Sequence, residues 1–71
     1  MGKFINVVSS NLKAIAYNYD NHILQIEFLN GHIYEYYKVP KIVYEELLLA
    51  ESKGKYAHEN IYKNFTQKRI K

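Results

Sequence analysis

Hydrophobic and polar residues alternate most clearly in the middle of the chain. The segment Ile23–Leu29 places apolar side chains at every second position, a period typical of a half-buried strand. Two further segments, Leu12–Tyr17 and His32–Val39, are rich in apolar, β-branched and aromatic residues, which also favour strands. The turn residues Asn18–Asn21 and Asn30–Gly31 separate these segments. Because the connections are short, the pattern predicts an antiparallel meander.

The pattern changes from strand to helix at Pro40. Proline suits the first position of a helix, because its missing N–H would have no partner there. Apolar residues then recur at helical spacing, at Val43, Tyr44, Leu47, Leu48 and Ala50. We expect Gly54 to end this helix, a second short helix over Tyr56–Tyr62, and weakly held residues at the end of the chain.

The predicted fold class is therefore α+β. A small three-stranded antiparallel β-meander packs against one α-helix, and a short C-terminal helix follows. No linker-like or low-complexity stretch interrupts the chain, so residues 1–71 are expected to form a single domain.

The Asn30–Gly31 turn decides which way the third strand faces. A two-residue type I′ turn would pair Phe28 with Ile33, whereas a three-residue turn with a left-handed bulge at Gly31 would pair Phe28 with His32. A shift of one residue exchanges the two faces of a strand. The bulged turn is preferred, because it gathers the apolar residues of the hairpin on one face.

The same choice fixes the role of two tyrosines, Tyr34 and Tyr36. In the bulged register they face Ile26 and Leu24 and belong to the core, with their hydroxyl groups at its rim. In the alternative register they lie on the opposite face and form an exposed aromatic site on which bases could stack. The core interpretation is preferred, and the stacking interpretation stays open.

Composition limits the classes of protein. The chain has no cysteine, which removes thiol catalysis, disulfides and thiolate metal sites. No apolar run approaches the roughly 20 residues that span a bilayer, and the first residues lack the apolar stretch of a signal peptide. We therefore expect a cytoplasmic protein without membrane contact. Asn, Lys, Ile and Tyr, which all have AT-rich codons, supply nearly half of the residues and indicate a low-GC bacterium or one of its phages.

Charge is distributed unevenly. Residues 1–51 carry four basic and six acidic side chains, a net −2, whereas residues 52–71 carry six basic and one acidic side chain, a net +5. Such a basic segment indicates an anionic partner, and a solvated tail is the alternative. The residues expected to bind nucleic acid or another anion are Lys53, Lys55, Tyr56, Tyr62, Lys63, Lys68 and Arg69.

The segment Ser52–Tyr56 combines a glycine, two lysines and an aromatic residue. Backbone N–H groups around Gly54, together with the lysine charges, could hold a phosphate. The preferred alternative is an ordinary helix C-terminus, where glycine forms the cap and lysines interact favourably with the helix dipole.

No constellation for catalysis or metal binding stands out. His22, His32 and His58 are far apart and lack the spacing of a metal site. No serine lies in a strand–turn–helix elbow, and no Walker-type pattern is present. We therefore expect a non-enzymatic protein without catalytic residues, metal or cofactor.

A set of residues in fixed order resembles the KTSC domain family. The resemblance covers about residues 8–62 and leaves residues 63–71 as a basic tail. It rests on Ser10, Tyr17, Leu24, Ile26, Phe28, Gly31, Tyr34, Tyr36, Val39, Pro40, Val43, Tyr44, Leu47, Ala50, Ser52, Gly54, Tyr56 and Ile61. The family is named after the C-terminus of some lysyl-tRNA synthetases and also occurs as small stand-alone proteins of bacteria and phages. The synthetase context implies RNA binding. Ala16 stands where the family often has glycine, and the tail is less aromatic than the resemblance would suggest.

These observations lead to one principal hypothesis and two alternatives. The principal hypothesis is a small module that binds RNA or single-stranded nucleic acid, with lysines on phosphates and Tyr56, Tyr62 or Phe65 stacked on bases. One alternative is a protein-interaction or homo-oligomerisation domain. Its apolar patch on the second sheet face would consist of Ile15, Tyr17, Ile33 and Tyr37. The other alternative is a phage-type protein that sequesters a small nucleotide-like ligand in a pocket.

Overall fold

The computed structural model describes residues 3–71. The chain forms five strands and two helices: β1 (Ile5–Asn6), β2 (Leu12–Asn18), β3 (Ile23–Phe28), β4 (Ile33–Tyr36), α1 (Lys41–Leu49), α2 (Lys53–Asn60) and β5 (Gln67–Arg69). The strands form one antiparallel sheet in the order β1–β2–β3–β4–β5, and both helices lie in the connection from β4 to β5. The α+β class is confirmed.

The predicted number of three strands is wrong, because a short strand is added at each edge of the sheet. β1 has two residues and β5 has three, and all of their side chains are exposed. Neither strand has an apolar alternation, so backbone hydrogen bonds alone define them. The Tyr37 N–H donates to the Thr66 carbonyl at 2.9 Å, and the Ile70 N–H donates to the Ile33 carbonyl at 2.8 Å. The end of the chain, expected to be weakly held, is therefore an edge of the sheet.

The bulged hairpin turn is confirmed. The Phe28 N–H donates to the His32 carbonyl at 2.8 Å, and the Gly31 N–H donates to the Phe28 carbonyl at 2.9 Å. Gly31 has a φ of 93°, in the left-handed region that glycine adopts without a Cβ clash. The two strands consequently pair in the predicted register, with Tyr36 opposite Leu24.

The hydrophobic core lies between one face of the sheet and the two helices. Tyr36 is 2% exposed and belongs to this core, as expected, whereas Tyr34 is only half-buried at its edge. The buried core residues are Leu12, Ile15, Tyr17, Leu24, Ile26, Tyr36, Val39, Tyr44, Leu47, Ala57 and Ile61. Both helices thus contribute to a single apolar layer.

The boundary between the helices differs from the prediction. α1 begins directly after Pro40 but ends at Leu49, and Ala50 has an extended backbone. Ser52 then caps the start of α2, since its Oγ accepts a hydrogen bond from the Lys55 N–H at 3.3 Å. Serine satisfies an N–H group that otherwise lacks a partner at a helix start, which explains why a new helix begins here.

Gly54 therefore lies in the first turn of α2 and does not end α1. A Cβ at this position would come within 2.5 Å of the side-chain oxygen of Asn11, so glycine permits close contact with the loop before β2. The second helix consequently begins at Lys53, earlier than the predicted start at Tyr56.

A buried tyrosine fixes the corner where β4 passes into α1. The Tyr17 hydroxyl donates to the Val39 carbonyl and lies 3.1 Å from Nδ1 of His22. Because the hydroxyl has only one proton, His22 Nδ1 must be the donor in the second bond. The Tyr17 ring also stacks on Tyr44 of α1, with ring centroids 4.7 Å apart. β2 thereby holds the start of α1 against the sheet.

We expect Gly31→Ala to destabilise the protein by about 1–2 kcal/mol, because alanine is strained in the left-handed region. No atom lies within 4 Å of the added Cβ, so the loss reports backbone strain alone. Urea unfolding followed by circular dichroism measures it. Gly31→Asn is the matched control and should lose less, since asparagine tolerates positive φ better. An alanine variant as stable as the parent would contradict the bulged turn.

Candidate functional site

A cleft opens where the turn between β3 and β4 meets the C-terminal part of the chain. Its volume of about 480 Å³ lies within the range of small-molecule sites. Four aromatic and three polar side chains line this aromatic cleft: Phe28, Asn30, His32, Tyr34, Tyr36, Tyr62 and Gln67. The β3–β4 hairpin supplies five of these residues, the segment after α2 supplies Tyr62, and β5 supplies Gln67.

The rings of the aromatic cleft pack against one another. Tyr36 and Tyr62 are stacked, with centroids 6.0 Å apart and planes at 24°. Phe28 meets Tyr34 edge to face, with centroids 5.8 Å apart. Stacked and edge-to-face packing of this kind is favourable for aromatic rings, and it forms the apolar walls of the cleft.

The Tyr62 hydroxyl is the unusual group in the cleft. Among residues 3–71 it is the one buried side-chain polar atom without a hydrogen-bond partner. Burial raises the pKa of Tyr62 to about 12, so the hydroxyl keeps its proton at neutral pH. Burial also raises the pKa of Tyr36. Both phenols are therefore neutral, and the Tyr62 hydroxyl is enclosed within the protein.

Each of two amide side chains that line the cleft uses one of its two polar atoms in a hydrogen bond within the protein. Asn30 Oδ1 accepts a hydrogen bond from the His32 N–H at 3.0 Å, which leaves the amino group of Asn30. Gln67 Nε2 donates to the Tyr62 carbonyl at 3.2 Å, which leaves Oε1 of Gln67. The amides thus retain one donor group and one acceptor for a ligand.

Positive charge lies beside the aromatic cleft. Arg69 pairs with Tyr34 across β4 and β5, so the two side chains share one face of the sheet. Lys63 is exposed and comes directly after a cleft residue. Lys68 pairs with Glu35 and lies on the opposite face, because side chains alternate along a strand. Arg69 therefore shares the sheet face of the cleft residue Tyr34, whereas Lys68 lies on the opposite face.

The remaining predicted site residues lie at the start of α2. Lys53 Nζ donates to the Ala50 carbonyl at 3.0 Å, at the end of α1. Lys55 is exposed. Tyr56 packs against the core, and its hydroxyl donates to Oε1 of Glu46 at 2.6 Å. Burial and this bond raise the pKa of Tyr56 to about 12. Lys53 and Lys55 lie in the first turn of α2, at the opposite end of this helix of about 12 Å from the segment that supplies Tyr62.

Sequence reasoning did not identify four of the cleft residues: Phe28, Asn30, His32 and Gln67. A signal existed for the first three, because the bulged turn places Phe28 beside His32 and on the side of the two hairpin tyrosines. Nothing in the sequence pattern pointed to Gln67. The strand β5 has no apolar alternation, and its position depends on backbone pairing with β4.

The opposite, outer face of the sheet differs from the predicted apolar patch. Ile33 and Tyr37 belong to it, but Ile15 and Tyr17 are buried in the core on the helix-facing side. The prediction is wrong for these two, because Ile15 pairs with a core residue of β3 and therefore shares its face. The Tyr37 hydroxyl donates to Glu35 at 2.8 Å, which makes this face more polar than expected.

Comparison with known families agrees with the fold. The family model of the KTSC domain matches residues 8–65. The chain belongs to the KTSC domain family. The matched segment runs from the loop before β2 to the segment after α2, so it contains every residue of the aromatic cleft except Gln67. The family resemblance drawn from the sequence is confirmed.

KTSC relatives occur both as small proteins and as part of larger ones. The chain is 44% identical over 61 residues to a lysine–tRNA ligase of Nostoc sp., which covers 86% of this chain and 11% of the ligase. It therefore spans about a tenth of that enzyme. A protein of Tsukamurella paurometabola is 40% identical over 52 residues, 73% of this chain and 78% of that protein. The crystal structure of a KTSC domain protein from Yersinia pestis has a TM-score of 0.92 at 31% identity and covers 97% of both chains. These relatives are all bacterial, which supports a bacterial origin.

Two further properties concern the described residues. Neither helix within residues 3–71 is long and apolar enough to cross a membrane. The same residues contain no group of three His, Asp or Glu side chains arranged to hold a metal ion.

Raising the pH from about 10 to about 12 should lower the free energy of unfolding. The pKa of Tyr62 is about 12 in the folded protein and about 10 in an unfolded chain, so the unfolded state loses the phenolic proton first. Below about pH 10 both states keep the proton, and the contribution is constant. Urea unfolding at several pH values measures the decline. Tyr62→Phe should decline less steeply, and an identical decline would contradict a buried, neutral Tyr62.

Proposed function

We propose that this KTSC domain is a non-enzymatic, cytoplasmic module that binds single-stranded nucleic acid, RNA in particular, in a bacterium or a phage-infected cell. The observation that carries the proposal is the aromatic cleft, with Arg69 on the same face of the sheet as its residue Tyr34. Proteins that bind single strands combine aromatic surfaces for bases with cations for phosphates. The arrangement requires no metal or cofactor.

The shape of the aromatic cleft favours an unpaired base. A base inside a duplex is stacked on both sides, whereas a base in a single strand can turn out of the strand and enter a recess. Tyr34 and Tyr62 are half-buried and line the recess, so part of each ring is accessible. Tyr36 is buried and supports the Tyr62 ring by stacking, which makes it a wall of the cleft rather than an exposed platform.

The basic residues favour a strand that continues from the cleft along α2. Arg69 shares the sheet face of the cleft residue Tyr34, the exposed Lys63 follows Tyr62 after α2, and the exposed Lys55 lies near the start of α2. A strand whose base occupies the cleft could place neighbouring phosphates near these side chains. Lysine and arginine contacts with phosphates add affinity that does not depend on base sequence.

The lysine–tRNA ligase relatives are consistent with this proposal. Their name places them with enzymes that act on tRNA, and a small RNA-binding domain within such an enzyme would add contacts with its RNA substrate. Because the chain spans about a tenth of the ligases, their catalytic activity gives no argument for this chain.

The aromatic cleft also keeps a second candidate function open. A cleft of about 480 Å³ can hold a mononucleotide, so a protein that sequesters a small nucleotide-like ligand would use the same residues. The protein-interaction alternative is weaker, because two of its four patch residues lie in the core.

Labelled single-stranded RNA should bind with micromolar or tighter affinity at low salt, and the affinity should fall steeply as salt increases. Each neutralised phosphate contributes a slope of about −0.7 in log K against log salt for single strands. Fluorescence anisotropy at several salt concentrations measures both quantities, with single-stranded DNA and duplex RNA as controls. Absence of binding at low salt would reject the nucleic-acid proposal.

Two neighbouring residues of β5 provide a matched pair for locating the interface. Arg69→Glu and Lys68→Glu change the net charge equally, but Arg69 shares the face of Tyr34 and Lys68 lies on the outer face. We expect Arg69→Glu to weaken RNA binding about tenfold or more, and Lys68→Glu to weaken it only about twofold through long-range charge.

The same anisotropy titration measures both variants of this pair. Equal losses would show that total charge matters and that the cleft does not position the strand. A larger loss in Lys68→Glu would place the interface on the outer face.

A further inference from the structure

A second pocket lies where the turn before β3 meets the corner between β4 and α1. This His22 pocket has a volume of about 330 Å³ and is lined by Asn21, His22, Lys38 and Pro40. All four residues are exposed, so a molecule in solution reaches them. None of them lines the aromatic cleft, and the His22 pocket is therefore a separate site.

The backbone of the His22 pocket is strained at two positions. Among residues 3–71, His22 with a φ of 56° and Lys38 with a φ of 58° are the two non-glycine residues with positive φ. Glycine and asparagine adopt this region more readily than histidine or lysine. Residues held in such conformations cluster at ligand sites, where the surrounding structure enforces them. Here both line one pocket, and both have a side chain that can carry positive charge.

Hydrogen bonds hold His22 in this conformation. Its N–H donates to the Asn18 carbonyl at 2.8 Å, and its carbonyl accepts from the Val39 N–H at 2.9 Å. Nδ1 of the ring donates to the buried Tyr17 hydroxyl at 3.1 Å. The ring is thus oriented by the core, and Nε2 is the nitrogen that remains for a ligand. Nε2 accepts a hydrogen bond in the neutral ring and donates one in the protonated ring.

The side chains of the His22 pocket favour an anion. Lys38 forms no ion pair within residues 3–71, and no acidic side chain among them lines the pocket. An ammonium group has three donors and no acceptor, so its partner must supply acceptor atoms. A phosphate group supplies several oxygen acceptors in a small volume, and lysine is a common partner of phosphate.

We propose that the His22 pocket binds a phosphate group. Nζ of Lys38 donates to the phosphate oxygens, Nε2 of His22 makes a second hydrogen bond, and the Asn21 amide is available for a third. The left-handed backbone at two positions brings the lysine and the histidine to the same pocket. This site is additional to the aromatic cleft and does not depend on the proposed nucleic-acid function.

Lys38→Asn separates this binding role from a structural one. Asparagine tolerates positive φ better than lysine, so the melting temperature should stay the same or rise. The substitution also removes the ammonium group, so phosphate binding should weaken about tenfold or more, the scale of one charge-assisted hydrogen bond. Lys13→Asn is the matched control, because it removes the same charge from an exposed lysine near the other end of β2.

The probe is inorganic phosphate, titrated into isotope-labelled protein and followed by NMR chemical shifts, with sodium chloride of equal ionic strength as the control. We expect phosphate to shift the backbone resonances of Asn21, His22 and Lys38 together and to move the His22 Nε2 resonance. Lys13→Asn should bind phosphate like the parent protein. Single-stranded RNA titrated in the same way identifies the source of the phosphate. Shifts at the same residues indicate a strand, whereas their absence indicates a small phosphate compound.

Four results would overturn the inference. Phosphate could leave the pocket resonances unchanged, or sodium chloride could shift them equally. Lys38→Asn could bind phosphate like the parent protein, or it could lose binding together with a large fall in melting temperature, which would make Lys38 a structural residue. Failure of the proposed function looks different, because phosphate binding in the His22 pocket without any RNA binding would reject the nucleic-acid module and support this site.

Discussion

The left-handed backbone of Gly31 determines which residues of β4 reach the core. With the bulge at this position, Phe28 and His32 form a pair, and Tyr36 comes to lie opposite Leu24. A turn one residue shorter would exchange the faces of β4 and expose Tyr36 where Glu35 now lies. The core beneath the helices and the aromatic wall of the cleft both contain residues of this strand. One backbone angle therefore sets the inner packing and the candidate site together.

The small hydrophobic core depends strongly on tyrosine side chains. A chain of 71 residues without cysteine buries limited apolar surface, and tyrosine adds a large ring to that surface. Each ring, however, brings a hydroxyl group that must find a partner. Tyr17 meets this demand within the fold, because its hydroxyl bonds the Val39 carbonyl and His22 and so anchors the start of α1. Tyr62 does not. The same residue type is thus tied into the scaffold at Tyr17 and enclosed without a hydrogen-bond partner among residues 3–71 at Tyr62.

Sequence reasoning succeeded where side chains determine the structure. The alternation in β3, the bulged turn at Gly31 and the helix after Pro40 all follow from packing or local sterics, and the structure contains each of them. Sequence reasoning was wrong where backbone hydrogen bonds determine the structure. β5 has only polar side chains, and its place in the sheet comes from hydrogen bonds to β4 that no local pattern reveals. The prediction that Gly54 ends α1 was wrong for a different reason. Gly54 lies close to Asn11, and this contact joins two segments that are distant in the sequence.

This distinction explains why the candidate site could be predicted only in part. The aromatic wall of the cleft lies within the segment matched by the family model, whereas Gln67 and Arg69 lie beyond residue 65 on β5. Aromatic surfaces suit the class of ligand, since any base has a face on which to stack. Edge contacts and charge then tune which ligand binds and how tightly. A short polar edge strand can change in sequence at little cost to the core, because its side chains are exposed. In the proposed function, the recess formed by the hairpin and Tyr62 would therefore take the base, and the three residues of β5 would contribute edge contacts and charge.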